Sequence, residues 1–170
     1  RDIRLAKLTG AHYHVAHVST RDAVNVIREA KKSGLSITCD TAPPYFSLNE
    51  SKLLTYNTAF KLSPPLRSED DRLAIIEGIQ DGTIDVIASD HRARSKDTKA
   101  QPFSAASVGA SGIETLFSIT LDLVHKKIID INKAISFLTI NPAKIFGIDS
   151  PNLEEQKVAD FIVFDEDEPH

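Results

Sequence analysis

The sequence predicts an α/β fold of parallel βα units, and three observations support that expectation. Short runs rich in β-formers alternate along the chain with amphipathic stretches of helical period. Residues 84–89 (IDVIAS) are almost continuously apolar, as in a strand covered on both faces. His17, Asp40, Ser63 and Asp90 fall at the C-terminal ends of the four strands so predicted.

The elements follow in order. Residues 1–10 read as the last turns of a helix closed by Gly10. Residues 12–19 (HYHVAHVS) alternate as a strand, and residues 20–33 form a helix capped by Thr20, with Ala23, Val24, Ile27 and Ala30 on one face and Gly34 at its end. Residues 35–41 form a second strand, broken by Pro43 and Pro44, and residues 47–55 a short helix. A third short strand is expected at 59–63, stopped by Pro64 and Pro65. Ser68 with Asp71 makes a capping-box-like start to a helix reaching about Asp81, with Glu69, Asp70 and Asp71 suited to the positive helix end. The strand at 84–89 follows, then helices near 112–127, 131–139 and 142–146, and a final strand at 158–164.

Parallel βα units wind right-handed and close in two ways, as an open doubly wound sheet or as part of a (β/α)8 barrel. Periodicity does not choose between them. Polar groups at the ends of all four strands favour the barrel, whose sites are built there, over a sheet with one switch point.

The 170 residues suffice for one domain with a real core. A net charge of −4 is too balanced for a nucleic-acid or polybasic membrane partner. No apolar run approaches a membrane span, and the single cysteine, Cys39, excludes an intrachain disulfide framework, so cytoplasm is the default compartment. The first residue is Arg1, no helix start precedes residues 1–10, and residues 159–170 run from an apolar strand into an acidic tail; the chain reads as a fragment.

His17 at a strand end can offer a neutral nitrogen to a metal, or simply bond backbone. His12 and His14 share its face by alternation but lie lower, where interior roles suit them. Asp90 must be paired, ligate a metal or meet solvent. In a metal hydrolase it binds metal and takes a proton from water; otherwise it caps a turn. Cys39 reads as a small buried residue, and Gly109 and Gly112 as a tight loop before a helix without nucleotide-binding spacing. Arg67 suits a substrate carboxylate, or an ion pair with Glu69, Asp70 or Asp71.

The segments YHVAHVST, GLSITCDTAPPYFSLNE, FKLSPPLRSEDDR, DGTIDVIASDH, GIET, NPAKIFGI and VADFIVFD resemble type I dihydroorotase, in order and spacing, across essentially the whole chain. The resemblance implies the C-terminal half of an amidohydrolase (β/α)8 TIM barrel. Residues 1–150 would supply strands five to eight, and residues 151–170 a strand of a small β domain. It also implies zinc, and interconversion of N-carbamoyl-L-aspartate and dihydroorotate in pyrimidine synthesis.

Position by position, His17 matches the strand-five metal ligand, and Asp90 the strand-eight ligand and general base. Ser63 falls at a substrate-binding position, and Val108 and Gly109 in a loop whose backbone contacts substrate. Two positions depart from the family pattern. Pro44 stands where a histidine ligates metal, and Arg94 stands where a histidine binds the substrate carboxylate. The HxH pair of strand one and the bridging carboxylate of strand four have no counterpart here. These departures also raise a non-catalytic homologue partnering aspartate transcarbamoylase, or a homo-oligomer. SPPLRSEDDR disfavours a hydantoinase or allantoinase.

Overall fold

The computed structural model describes residues 1–149, 155–156 and 160–165. Helix α1 (Asp2–Thr9) ends where Gly10 takes the left-handed conformation and its N–H caps the Ala6 carbonyl. Strand β1 (Tyr13–Val15) leads into α2 (Arg21–Lys32), whose N-cap Thr20 accepts from the Ala23 N–H. Strand β2 (Ile37–Thr41) runs into a short helix, α3 (Pro43–Ser47). The Pro-Pro pair read as a breaker starts this helix, because proline in the first turn has no intrahelical N–H bond to lose. Helix α4 (Glu69–Asp81) is capped by Ser68 and closed by Gly82 at φ 80°, as its sequence predicts. Strand β3 (Val86–Ile87) is followed by α5 (Lys96–Lys99), α6 (Leu116–His125), α7 (Ile131–Leu138) and α8 (Ile140–Phe146).

The three strands pair in parallel in the order β1-β2-β3, with Tyr13 opposite Ile37 and Asp40 opposite Val86. The sheet has two unlike faces. Tyr13, Val15, Ile37 and Cys39 pack against the helices, in a core with Val24, Ile27, Ile75, Ile79, Ala134 and Phe137. His12, His14, Thr38 and Asp40 share the other face through polar contacts. At the lower end, Lys31 Nζ lies 2.6 Å from Asp85 Oδ2, which also accepts the Cys39 N–H, so α2 is clipped to β2 and β3 together.

Several expectations need correction. Residues 59–63 are not a strand: Thr58–Phe60 form a 3-10 turn initiated by the Asn57 side chain, and the backbone then runs irregularly to Pro64. The short helix expected at 47–55 is a 3-10 segment at Glu50–Thr55, begun by Asn49. The first and last sheet strands are shorter than their apolar runs, because hydrogen-bonded pairing with β2 ends earlier. Of the final strand expected at 158–164, residues 160–164 are irregular and exposed, and the rest lies outside the described residues. No described helix is long and apolar enough to cross a membrane.

Among the described residues neither outer edge of the sheet carries a further strand, and Leu8 is 84% and Val26 56% exposed. Unpaired parallel edges and bare apolar side chains promote association. The isolated chain is therefore expected to self-associate or to melt without cooperativity in sedimentation and thermal unfolding. A monodisperse monomer with a cooperative, concentration-independent melt contradicts this.

Candidate active site

The upper end of the sheet gathers four ionisable side chains. Asp40, near the end of β2, is 6% exposed, and its carboxylate holds the group together. Oδ1 accepts the His17 backbone N–H at 2.8 Å, and Oδ2 accepts from His14 Nε2 at 2.9 Å. His17 Nδ1 lies 3.0 Å from Oδ1, but its N–H is not aimed well enough for a directed hydrogen bond; the contact is electrostatic. His14 is braced from the other side by Thr38 Oγ1, 2.7 Å from Nδ1. With Nδ1 turned to Asp40, His17 presents Nε2 to Asp90 Oδ1 at 3.4 Å.

Both convergent residues sit in the left-handed backbone region, His17 at φ 56° and Asp90 at φ 43°. Such conformations are uncommon without glycine and are held only where the surroundings over-determine them. For His17 the hydrogen bond from its own N–H to Asp40 does this. For Asp90 it is the packing of loop 109–113 on residues 89–92. Arg92 N–H donates to Ala110 O, and the Gly112 and Ile113 N–H groups approach His91 Nδ1. A Cβ on Gly112 would come within 2.2 Å of the Ser89 carbonyl oxygen, so this approach requires glycine.

Charge and burial set the protonation states. The Asp40 contact raises the His17 pKa above its usual 6.5; burial opposes it, and Asp90 adds to the rise. Burial acts to raise the Asp40 pKa, but the contacts with His17 and His14 outweigh it and hold the carboxyl below 3.8. Tyr45, 3% exposed, has its phenol pushed well up, by burial first and by Asp90 second.

The remaining predicted site residues lie around this cluster. Pro44 and Asp90 line one mostly apolar cavity of about 180 Å³ with Phe60, Leu62 and Ile119. Arg94 Nε donates to the Val108 carbonyl at 2.9 Å, and the Gly109 N–H donates to Lys61 O, so these backbone groups brace the loop. Ser63 is exposed, and no hydrogen bond among the described residues joins it to His17 or Asp90. The expected ion pair of Arg67 does not form: Glu69 pairs with Arg72, and Arg67 Nε is buried without a partner among the described residues. Sequence reading missed the hub role of Asp40, although His14, Asp40 and their alternation were visible. It also missed Arg92, whose Nε lies 3.0 Å from Asp90 Oδ1.

Two donor atoms 3.4 Å apart match one edge of a tetrahedral zinc shell, where bonds of about 2.0–2.1 Å put ligand atoms roughly 3.3 Å apart. The match stops there. Among the described residues no group of three or more His, Cys, Asp or Glu side chains is arranged to hold a metal ion, and Asp90 already pairs with a guanidinium. As arranged, these residues do not make a metal site on their own.

The chain belongs to the amidohydrolase family, which it matches over residues 1–169. Within that family it is similar to dihydroorotases: 43% identical to that of Anaplasma phagocytophilum (strain HZ) over 97% of this chain and 37% of the relative. It is likewise 43% identical to that of Desulforapulum autotrophicum over 100% of this chain and 40% of the relative. The chain thus spans well under half the length of these curated relatives. Its fold is similar to L-hydantoinase (dihydropyrimidinase) from Arthrobacter aurescens, with TM-score 0.80 and 28% identity over 86% of this chain and 33% of that one. It also resembles in fold the inactive dihydroorotase-like domain of a Chaetomium thermophilum CAD-like multifunctional protein, with TM-score 0.66 and 23% identity over 88% of this chain and 41% of that one. The architecture is therefore of the TIM-barrel type, and family membership is consistent with a metal cofactor.

Two predictions follow from the cluster. Protonated His17 stabilises the fold fully below pH 6.5, and that contribution is lost as pH rises through its raised value. Ionised Asp40 stabilises above pH 3.8, and that contribution is lost as pH falls through its lowered value. Asp40→Asn should therefore bring the His17 titration down, as read by NMR of the ring nitrogens. The stability gap to the wild type should be widest between the two folded-state values and shrink on the alkaline side; a gap that grows there counts against the pairing. Separately, Pro44→His places an imidazole on the cavity wall shared with Asp90 and should raise zinc bound at equilibrium dialysis. Unchanged zinc would show that a third ligand is not what is missing at this position.

Proposed function

We propose that this chain supplies strands five to eight of a dihydroorotase-type amidohydrolase barrel. The protein carrying it would interconvert N-carbamoyl-L-aspartate and dihydroorotate in pyrimidine synthesis, in the cytoplasm. The observation that carries the reading is the convergence of His17 and Asp90 at the C-terminal ends of parallel strands, where barrel sites are built. Similarity to dihydroorotases at 40–43% identity supports the substrate class.

In this reading Asp90 is the general base. Its carboxylate takes the proton of an attacking water and returns it to the amide nitrogen as the ring opens. His17, oriented through Nδ1 by Asp40, faces the same point with Nε2, in the manner of an oriented metal-ligand histidine. Zinc would supply Lewis-acid polarisation of the amide carbonyl, with most of its ligands drawn from outside these residues. Arg94, anchored through Nε on Val108 O, would turn its terminal N–H groups to the substrate carboxylate, and Ser63, Val108 and Gly109 would line that end. Residues 1–150 form the barrel portion in this proposal. Residues 151–170, largely outside the described residues, belong to the small β domain.

The test is complementation. The 170-residue chain is mixed with the preceding part of a dihydroorotase relative, and the interconversion is followed in both directions. The chain alone should be inactive, the mixture active, and Asp90→Asn should lower activity at least 100-fold. A stably formed but inactive mixture, or an Asp90→Asn mixture of full activity, refutes the assignment.

A further inference from the structure

The cavity beside Asp90 has an apolar wall that the proposed reaction does not use. It holds about 180 Å³, and Pro43, Pro44, Leu48, Phe60, Leu62 and Ile119 make most of its lining. Asp90 is the one charged group there among the described residues. We propose that this cavity binds a single uncharged aromatic ring carrying one O–H or N–H donor, with the ring among the apolar side chains and the donor on the Asp90 carboxylate. The inference goes beyond the proposed reaction and does not depend on it.

Size selects one ring. An apolar cavity of about 150 Å³ takes up a benzene molecule, whereas drug-sized ligands fill roughly 300 Å³ or more. The walls are also formed in advance. Pro43 and Pro44 open α3 with fixed φ and no N–H to offer. The turn that carries Phe60 is started by the Asn57 side chain, and Gly112 is fitted against the Ser89 carbonyl. A site already in shape gives up little order on binding. Ring-to-ring contact with Phe60 favours an aromatic occupant over an aliphatic one.

Polarity selects which ring. The dihydroorotate ring carries several carbonyl and N–H groups, most of which these apolar side chains would leave without partners, and its carboxylate would meet Asp90. A cation gains little, because Arg92 Nε already lies 3.0 Å from Asp90 Oδ1 and an apolar wall does not repay its desolvation. A neutral ring with one donor suits both parts of the cavity. Its donor makes a charge-assisted hydrogen bond to Asp90, which has acceptor capacity left: the ion contacts with Arg92 and His17 both fall on Oδ1, and a carboxylate has about four lone-pair sites.

The experiment titrates phenol into the 170-residue chain, read by calorimetry and ligand-observed NMR, with benzene and benzoate as comparators and circular dichroism confirming the fold of each variant. Phenol should saturate one site and bind about tenfold more tightly than benzene, the gain expected of a hydrogen bond to a charged group. Benzoate should bind at least about tenfold more weakly than phenol. Ile119→Phe and Ala59→Leu each fill the cavity and should weaken phenol about tenfold or more. Asp90→Asn should cut the advantage of phenol over benzene to about threefold or less. Absence of saturable phenol binding overturns the inference, as does binding that both cavity-filling variants leave unchanged, which places the phenol elsewhere. Benzene or benzoate binding as tightly as phenol overturns the donor contact with Asp90 and with it the proposed ligand class. Should Ile119→Phe fail to fold, Ala59→Leu, at an exposed position on the cavity rim, decides. None of these outcomes bears on the proposed reaction, which complementation tests separately.

Discussion

The buried carboxylate of Asp40 is the constraint on which the upper end of this sheet depends. A charge 6% exposed is tolerable only with compensating partners, and Asp40 has them: the His17 N–H and His14 Nε2 donate to it, and His17 Nδ1 lies beside it as an electrostatic contact. These contacts tie β2 to the end of β1 across the sheet, hold His17 in an unfavourable backbone conformation and choose which of its ring nitrogens points outward. Val18 N–H to Asp40 O and Thr41 Oγ1 to Val18 O continue the same seam in the main chain. The seam is what makes a strand-end histidine a directed group.

Asp90 is held by different means. It lies beyond the two paired residues of β3, and its position depends on loop 109–113, nineteen or more residues later in the chain, fitted against residues 89–92 with no room for a side chain at Gly112. His91 joins that fit by accepting from the loop's amides. The site is thus assembled from one rigid seam and one docked loop. The Arg92 N–H is bonded to Ala110 of that loop, so the contact that fixes Asp90 also fixes the guanidinium beside it.

The two ends of the sheet divide stability and chemistry. Below, Lys31 and Asp85 make an ion pair satisfied by the backbone of β2 and the Thr83 carbonyl. Above, charges converge beside a cavity walled by Pro43, Pro44, Leu62 and Ile119. Low polarity on one side and ionised groups on the other strengthen each charge interaction there relative to water. That division is the one expected of a parallel α/β fold whose chemistry is carried at the C-terminal strand ends.

The sequence by itself determined the helices with strong caps and amphipathic faces. Thr20, Ser68, Gly10 and Gly82 mark their boundaries through local hydrogen bonds and backbone freedom, which need nothing distant. It also determined the parallel βα order, the family and the strand-end positions of His17 and Asp90. Only the tertiary structure decided how far each strand runs, because pairing depends on a neighbour and an apolar run does not record where that neighbour stops. It alone turned residues 59–63 into a 3-10 turn and an irregular passage, since the Asn57 cap and the docking of Lys61 on the Phe103 and Ser104 carbonyls outweigh β-propensity there. And it alone revealed Asp40 and Arg92 as partners of the site. Each residue is unremarkable in its own segment, and only the juxtaposition of His14, His17 and Asp90 in space gives its charge something to hold.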